Sequence, residues 1–113
     1  MSDTTKRIAA FNDAFRKNPL DRSLGRLYMT VGINAHGPEF VARAIAAVIA
    51  FDAFTNDNDP HREHDFGSFD LDGEKLFWKI DYYSTDDPDL GSEDPSDPTK
   101  TERALTIMLA DEY

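Results

Sequence analysis

Residues 66–83, FGSFDLDGEKLFWKIDYY, constrain this chain more than any other stretch. Two aromatic-rich runs flank Asp72-Gly73, the dipeptide that most readily supplies the two positive φ angles of a type I′ turn. A two-residue loop then fixes the register. Phe69 faces Leu76, Gly67 faces Trp78 and Asp70 faces Lys75. The first two pairs fall on one face and the charged pair on the other. A large ring opposite a glycine covers bare backbone, and opposite charges across strands contribute about 0.2–1 kcal/mol. Leu76, Trp78, Ile80 and Tyr82 share one side of the second strand, so the ribbon has a core face.

The flanking segments supply what that face packs against. In residues 3–17, Ile8, Phe11 and Phe15 form a helical stripe, with Asp3 or Thr4 to cap it and Arg16 and Lys17 at its negative end. Asn18-Pro19 stops this helix. Lys6, Arg7, Arg16 and Lys17 read as its solvated face rather than as a basic binding arm. Residues 26–33 alternate, with Leu27, Met29, Val31 and Ile33 on one side, as a half-buried strand does. Residues 34–37 turn the chain, and His36 belongs to that turn. Pro38 and Glu39 open a second helix over 38–53, apolar around most of its circumference. Residues 103–110 place Leu105, Ile107 and Leu109 on one face, with Thr106, Met108 and Ala110 apolar enough for a central strand. The expected fold is α+β, in the order α-β-α-β-β-β. Two helices lie on one face of a four-stranded, mainly antiparallel sheet, in a single domain over 1–113.

The charge is lopsided. Residues 1–50 hold seven Lys/Arg and four Asp/Glu, a balance of +3, whereas residues 51–113 hold five and eighteen, a balance of −13. Such asymmetry points to a directed electrostatic surface. It argues against direct nucleic-acid binding by the second half, which lacks the cations that phosphates need. The chain has no cysteine, which excludes disulfides, thiolate metal sites and a cysteine nucleophile. No apolar run reaches the ~20 residues of a membrane span, and the N-terminus lacks the apolar core of a signal peptide. A cytoplasmic location is the expectation.

Two stretches could carry function. Residues 55–65, TNDNDPHREHD, bring His61, His64 and Asp65 together with Asp57, Asp59 and Glu63. Two imidazoles and a carboxylate at 61, 64 and 65 could hold a divalent ion, with Glu63 activating water. Pro60 opposes the helix of an H-E-x-x-H motif. A calcium loop counted from Asp57 meets Arg62 where glycine is needed and Ser68 where glutamate is needed. The plainer reading is a polar loop that pins the start of the hairpin. Residues 84–100 carry Asp86, Asp87, Asp89, Glu93, Asp94 and Asp97, three prolines and no base before Lys100. This acidic, Pro-rich loop cannot bury enough apolar surface to fold alone. Fully extended at ~3.3 Å per residue, its carboxylates approach the phosphate spacing of a DNA strand. Asp70-Leu71-Asp72-Gly73-Glu74 also looks like a cation loop, but hairpin chemistry accounts for it.

The segments RIAAFNDAFRK, AFDAFTNDNDPHREHDFGSF, LFWKIDYY and LGSEDPSDPTKTERALTIMLADEY, spanning about Arg7 to Tyr113, resemble the DUF3768 family. The matching blocks include 58–61, 63–67 and 91–95. The resemblance implies a bacterial protein, common in alphaproteobacteria and often carried on plasmids and other mobile elements among genes that protect incoming DNA. It carries over no catalytic residue. The leading expectation is a non-enzymatic interaction protein whose acidic loops (Asp57, Asp59, Glu63, Asp86, Asp87, Asp89, Glu93, Asp94 and Asp97) meet a basic, nucleic-acid-binding protein or host defence complex. An anti-restriction or anti-CRISPR inhibitor that mimics nucleic acid fits best. The alternatives are a metal-dependent hydrolase or nuclease using His61, His64 and Asp65, and a structural partner in plasmid maintenance.

Overall fold

A computed structural model describes residues 2–113. The hairpin forms in the expected register. Strands β2 (Phe66–Leu71) and β3 (Glu74–Ser84) pair antiparallel, with Phe69 against Leu76, Gly67 against Trp78 and Asp70 against Lys75. Asp72 and Gly73 both adopt positive φ, at 53° and 80°, as the tight turn requires. Gly67 is needed for space. A methyl group there would lie 2.3 Å from Trp78 Nε1 and 2.7 Å from the Phe51 ring. The hairpin tip is tied to the second long helix by two bonds from Arg43 to the Asp72 carboxylate, at 2.9 and 2.6 Å.

Strand β4 (Thr101–Leu109) pairs antiparallel with β3, and β1 (Arg26–Met29) pairs with β4. The order is β1-β4-β3-β2, so β4 is central, as its apolar character suggests. The β1–β4 pairing is parallel, which makes the sheet mixed and corrects the mainly antiparallel expectation. The cause lies in the connection. A helix running back across the sheet returns the chain to the end it left, so the strands before and after it point the same way. Here β1 and β2 occupy opposite edges and run in the same direction.

Helix α1 (Asp3–Lys17) has the expected bounds and is capped by Ser2, whose hydroxyl accepts from Thr5 N at 3.1 Å. Residues 26–33 depart from expectation. The strand stops at Met29, and a short helix, α2 (Val31–Ala35), follows. Val31, a core position had the strand continued, is 85 % exposed, while Ile33 is fully buried. The break is enforced from the far end of the chain. Glu112, in a 3-10 turn over Ala110–Glu112, accepts from Thr30 Oγ1 at 2.6 Å, Gly32 N at 2.9 Å and Leu109 N at 2.9 Å. These bonds, the Thr30 hydroxyl foremost, hold the Glu112 carboxyl below its usual range.

Helix α3 (Pro38–Ala50) begins at Pro38 and ends earlier than residue 53. Phe51 turns into extended backbone and sets its ring edge-on to Trp78, 5.4 Å between centroids. His36 ends α2 and stacks on Phe40 at 4.3 Å, a turn residue as expected. One apolar cluster joins Phe15, Ile33, Phe40, Ala44, Val48 and Phe51 to Leu76, Trp78, Ile80, Leu105 and Ile107. All helices therefore cover the same sheet face. On the opposite face Tyr113 folds back, meeting Phe66 and Phe77 edge-on at 5.9 and 5.6 Å.

Candidate functional site

The loop over 55–65 folds around its own polar groups. Asn58 accepts from Thr55 N at 2.8 Å and donates to Ala53 O at 2.8 Å. Arg62 and His64 both take left-handed backbone, with φ of 59° and 56°. Such conformations cost of order 1–3 kcal/mol and persist only where the surroundings dictate them. Around His64 they do. Its ring stacks on Phe54 at 3.9 Å and 6°. Its Nδ1 meets both Asp13 oxygens, at 2.9 and 3.0 Å, and its Nε2 lies 3.5 Å from Asp59 Oδ2. Asp59, 5 % exposed, also accepts the His64 backbone N–H at 3.2 Å.

This arrangement does not bring His61, His64 and Asp65 together as the metal set expected from the sequence. The two nitrogens of His64 point to carboxylates on opposite sides of the ring, so those carboxylates cannot converge on one ion with it. His61 is exposed. Among the described residues no group of three or more His, Cys, Asp or Glu is placed to hold a metal ion. Asp65 is half-buried, and burial, then the neighbouring Glu63 charge, pushes its carboxyl above the ordinary range.

Beneath this loop lies a polar network with no obvious trace in the motifs. Asn12, fully buried in α1, donates to Glu63 O at 2.9 Å and to the Tyr82 hydroxyl at 2.7 Å. Tyr82 in turn donates to Glu63 Oε1 at 2.9 Å. Asn12 Oδ1 accepts from Arg103 Nε at 2.7 Å, and Arg103 Nη2 donates to Pro95 O at 2.5 Å. Burial pushes the Tyr82 phenol up and the Arg103 guanidinium down from their ordinary values. Asn12, Tyr82 and Arg103 thus tie residue 63 of one acidic loop to residue 95 of the other. Arg16 is also buried, contrary to the solvated face expected for it. It caps the end of α3 by donating to Val48 O and Ile49 O at 3.0 and 3.2 Å. The available signal was spacing, because Asn12 and Arg16 continue the i+4 ladder that begins at Ile8.

The segment 84–100 is folded by turns rather than extended, so the strand-like phosphate spacing is not realised. Asp87 accepts from Asp89 N at 3.0 Å; Asp94 accepts from Ser96 N at 3.1 Å; Asp97 accepts from Thr99 N at 2.9 Å and Thr99 Oγ1 at 2.7 Å. These are self-contained Asx turns. Backbone bonds Ser84 N to Leu90 O (2.8 Å) and Ser92 N to Tyr82 O (3.0 Å) lay the loop along the end of β3. Asp86, Asp87, Asp89 and Glu93 remain exposed, whereas Asp94 and Asp97 are half-buried. The single ion pair of this loop among the described residues is Lys100 with Glu93 at 3.5 Å. Of the front-half cations, Arg7 reaches this loop, donating to Ser96 O at 3.4 Å, whereas Arg26 pairs with Glu102 at 3.2 Å and Arg43 with Asp72 at 2.6 Å.

The fold and surface together define an α+β protein in which a buried polar network holds two acidic loops at one end of a mixed four-stranded sheet. Residues 29–112 match the model of the family described as "Protein of unknown function (DUF3768)", and the chain belongs to that family. Helix α1, with Asn12, Asp13 and Arg16, lies outside the matched span. No curated protein and no solved structure matches the chain. No helix among the described residues is long and apolar enough to cross a membrane.

Proposed function

We propose that this protein is an interaction module that offers the acidic loop over 84–100, together with the exposed Asp57, to a basic protein surface. One observation carries the reading: Asp86, Asp87 and Asp89 are exposed on a loop held by its own hydrogen bonds, with no cation paired to them among the described residues. An ordered, uncompensated negative surface steers oppositely charged partners and has already met the ordering cost of presenting them. Of the nine carboxylates expected to bind a partner, Asp57, Asp86, Asp87, Asp89 and Glu93 form the offered set. Asp59, Glu63, Asp94 and Asp97 are engaged by His64, Tyr82, Ser96 and Thr99. The finer reading is an anti-restriction or anti-CRISPR inhibitor of a mobile element that occupies the nucleic-acid groove of a host defence protein. It draws support from the same surface and from the resemblance.

Affinity capture from a host lysate at low and high salt tests this. A basic partner should bind at low salt, be released as ionic strength rises, and be competed by duplex DNA. Replacing Asp86, Asp87 and Asp89 with Asn should abolish capture. Capture that survives both salt and the triple substitution refutes the proposal.

A further inference from the structure

Resting on that reading, we infer that the open half of the outer sheet face is an arginine-accepting trough, into which a partner's basic segment lays an arginine side chain between Tyr28 and Tyr83. The sheet register builds the trough. Across this stretch the outer face of the central strand β4 carries Glu102, Ala104 and Thr106. Tyr28 stands opposite Thr106 on one neighbouring strand, and Tyr83 stands opposite Glu102 on the other. The small Ala104 and Thr106, with Tyr28 toward one end and Tyr83 toward the other, leave a furrow of about 520 Å³ that Thr85 and Pro88 also line. Both walls are open to solvent, Tyr28 at 50 % and Tyr83 at 38 % exposure. The other half of the same face is covered by Tyr113.

The charge around the furrow selects its occupant. It shares Ser84 and Thr85 with a second hollow of about 390 Å³, lined by Asp86, Asp87 and the Glu93–Lys100 ion pair. Glu102 at the floor is balanced by Arg26 and Glu93 by Lys100, so the free counter-charge on the lip is that of Asp86 and Asp87. An anionic or purely apolar ligand would leave those carboxylates without compensation. An arginine meets both demands. Its apolar stem covers Ala104, its flat guanidinium stacks on tyrosine, and its fork of donors reaches carboxylates. Lysine, a compact and strongly hydrated point charge, gains less from the rings.

The test is a fluorescence-anisotropy titration with labelled nona-arginine and nona-lysine peptides at low salt. The native chain should prefer the arginine peptide. Combined Tyr28→Ser and Tyr83→Ser should weaken arginine-peptide binding by about three- to ten-fold and remove the preference. Thr106→Lys, which sets a cation on the trough floor, should do the same and serves as the second variant if loss of the tyrosines disturbs folding. Asp86→Asn with Asp87→Asn should weaken both peptides alike. Unchanged arginine-peptide binding in the tyrosine and Thr106 variants overturns the trough, while loss in the acid variant still upholds the acidic surface. If the acid variant binds both peptides normally and the tyrosine variants lose only the arginine peptide, the trough stands and the acidic-loop reading falls.

Discussion

The loops over 55–65 and 84–100 are both acidic and poor in apolar residues, yet they have opposite fates. Both are rich in Asp and contain Thr and Pro; the first adds Asn and His, the second Ser, and neither could bury itself unaided. The first turns Asp59, Glu63 and His64 inward. Asp59 is buried, His64 is clamped between Asp13 and Asp59, and Glu63 accepts from Tyr82. The second keeps Asp86, Asp87, Asp89 and Glu93 outside and uses Asp94 and Asp97 only to close its own turns. What separates them is a neighbour. Helix α1 lays Asn12 and Asp13 under the first loop, whereas beside residues 86–90 no such element stands. Charge count therefore does not measure charge on offer, and mutations in the two loops should read out on different instruments.

The largest effect should come from the group that holds both loops. Asn12→Leu strips hydrogen bonds from Arg103, Tyr82 and the Glu63 carbonyl in a buried setting. Charged and neutral partners left unmet together cost about 3 kcal/mol or more. Urea denaturation checks this, and a loss below ~1 kcal/mol would mean that the network is not what positions the loops. Next comes His64→Ala, which removes the Phe54 stack and leaves Asp59 buried without its imidazole. A loss of about 2–3 kcal/mol is expected. His64→Gly deletes the same contacts but accepts φ of 56° freely. It should therefore be less damaging than the alanine variant by about 1 kcal/mol. Equal losses would show that the left-handed turn stores no strain.

Much of the fold was legible because it is written locally. Asp72-Gly73 dictates a turn that fixes every β2–β3 pair, and Pro38 with Glu39 marks where α3 starts. The elements misread are those decided by distant residues. Thr30 and Gly32 leave the strand because a carboxylate eighty residues onward caps them. The parallel β1–β4 pairing follows from the α3 crossover, a topological rule that the strand-helix-strand order already contained. At the site, the acidic loop was legible from composition. The role of His64 was not, since Asp13 lies fifty-one residues away in a helix whose stripe looked ordinary. Asn12 and Arg16 on the i+4 ladder from Ile8 were the one local hint that this helix carries polar groups into the core.

A smaller effect, dependent on pH, sharpens the contrast further. Burial holds the Asp65 carboxyl above its ordinary value of 3.8. The folded chain thus keeps a proton that the unfolded chain has already lost within the window between 3.8 and the raised value. Stability is full below that window and falls as pH rises through it. Asp65→Asn removes the ionisation, so the variant should melt higher than the native chain at neutral pH and show no advantage below pH 3.8. A melting point that is lowered at neutral pH would mean that the charged carboxylate is being used, and with it the case for an inward-committed loop would weaken.

The smallest stability effect belongs to the outward loop. Asp86→Asn and Asp89→Asn remove charges with no ion-pair partner among the described residues, so each should move stability by no more than about 0.5 kcal/mol. The sign should be favourable. The chain carries a net charge of −10, and self-repulsion opposes its compact state. Added salt should erase the gain, since it screens the same repulsion. Equilibrium denaturation at low and high ionic strength separates the two contributions. A loss exceeding ~1 kcal/mol at either site would place these carboxylates with Asp59 among the groups that hold the fold. The surface would then have no charge to spare for a partner.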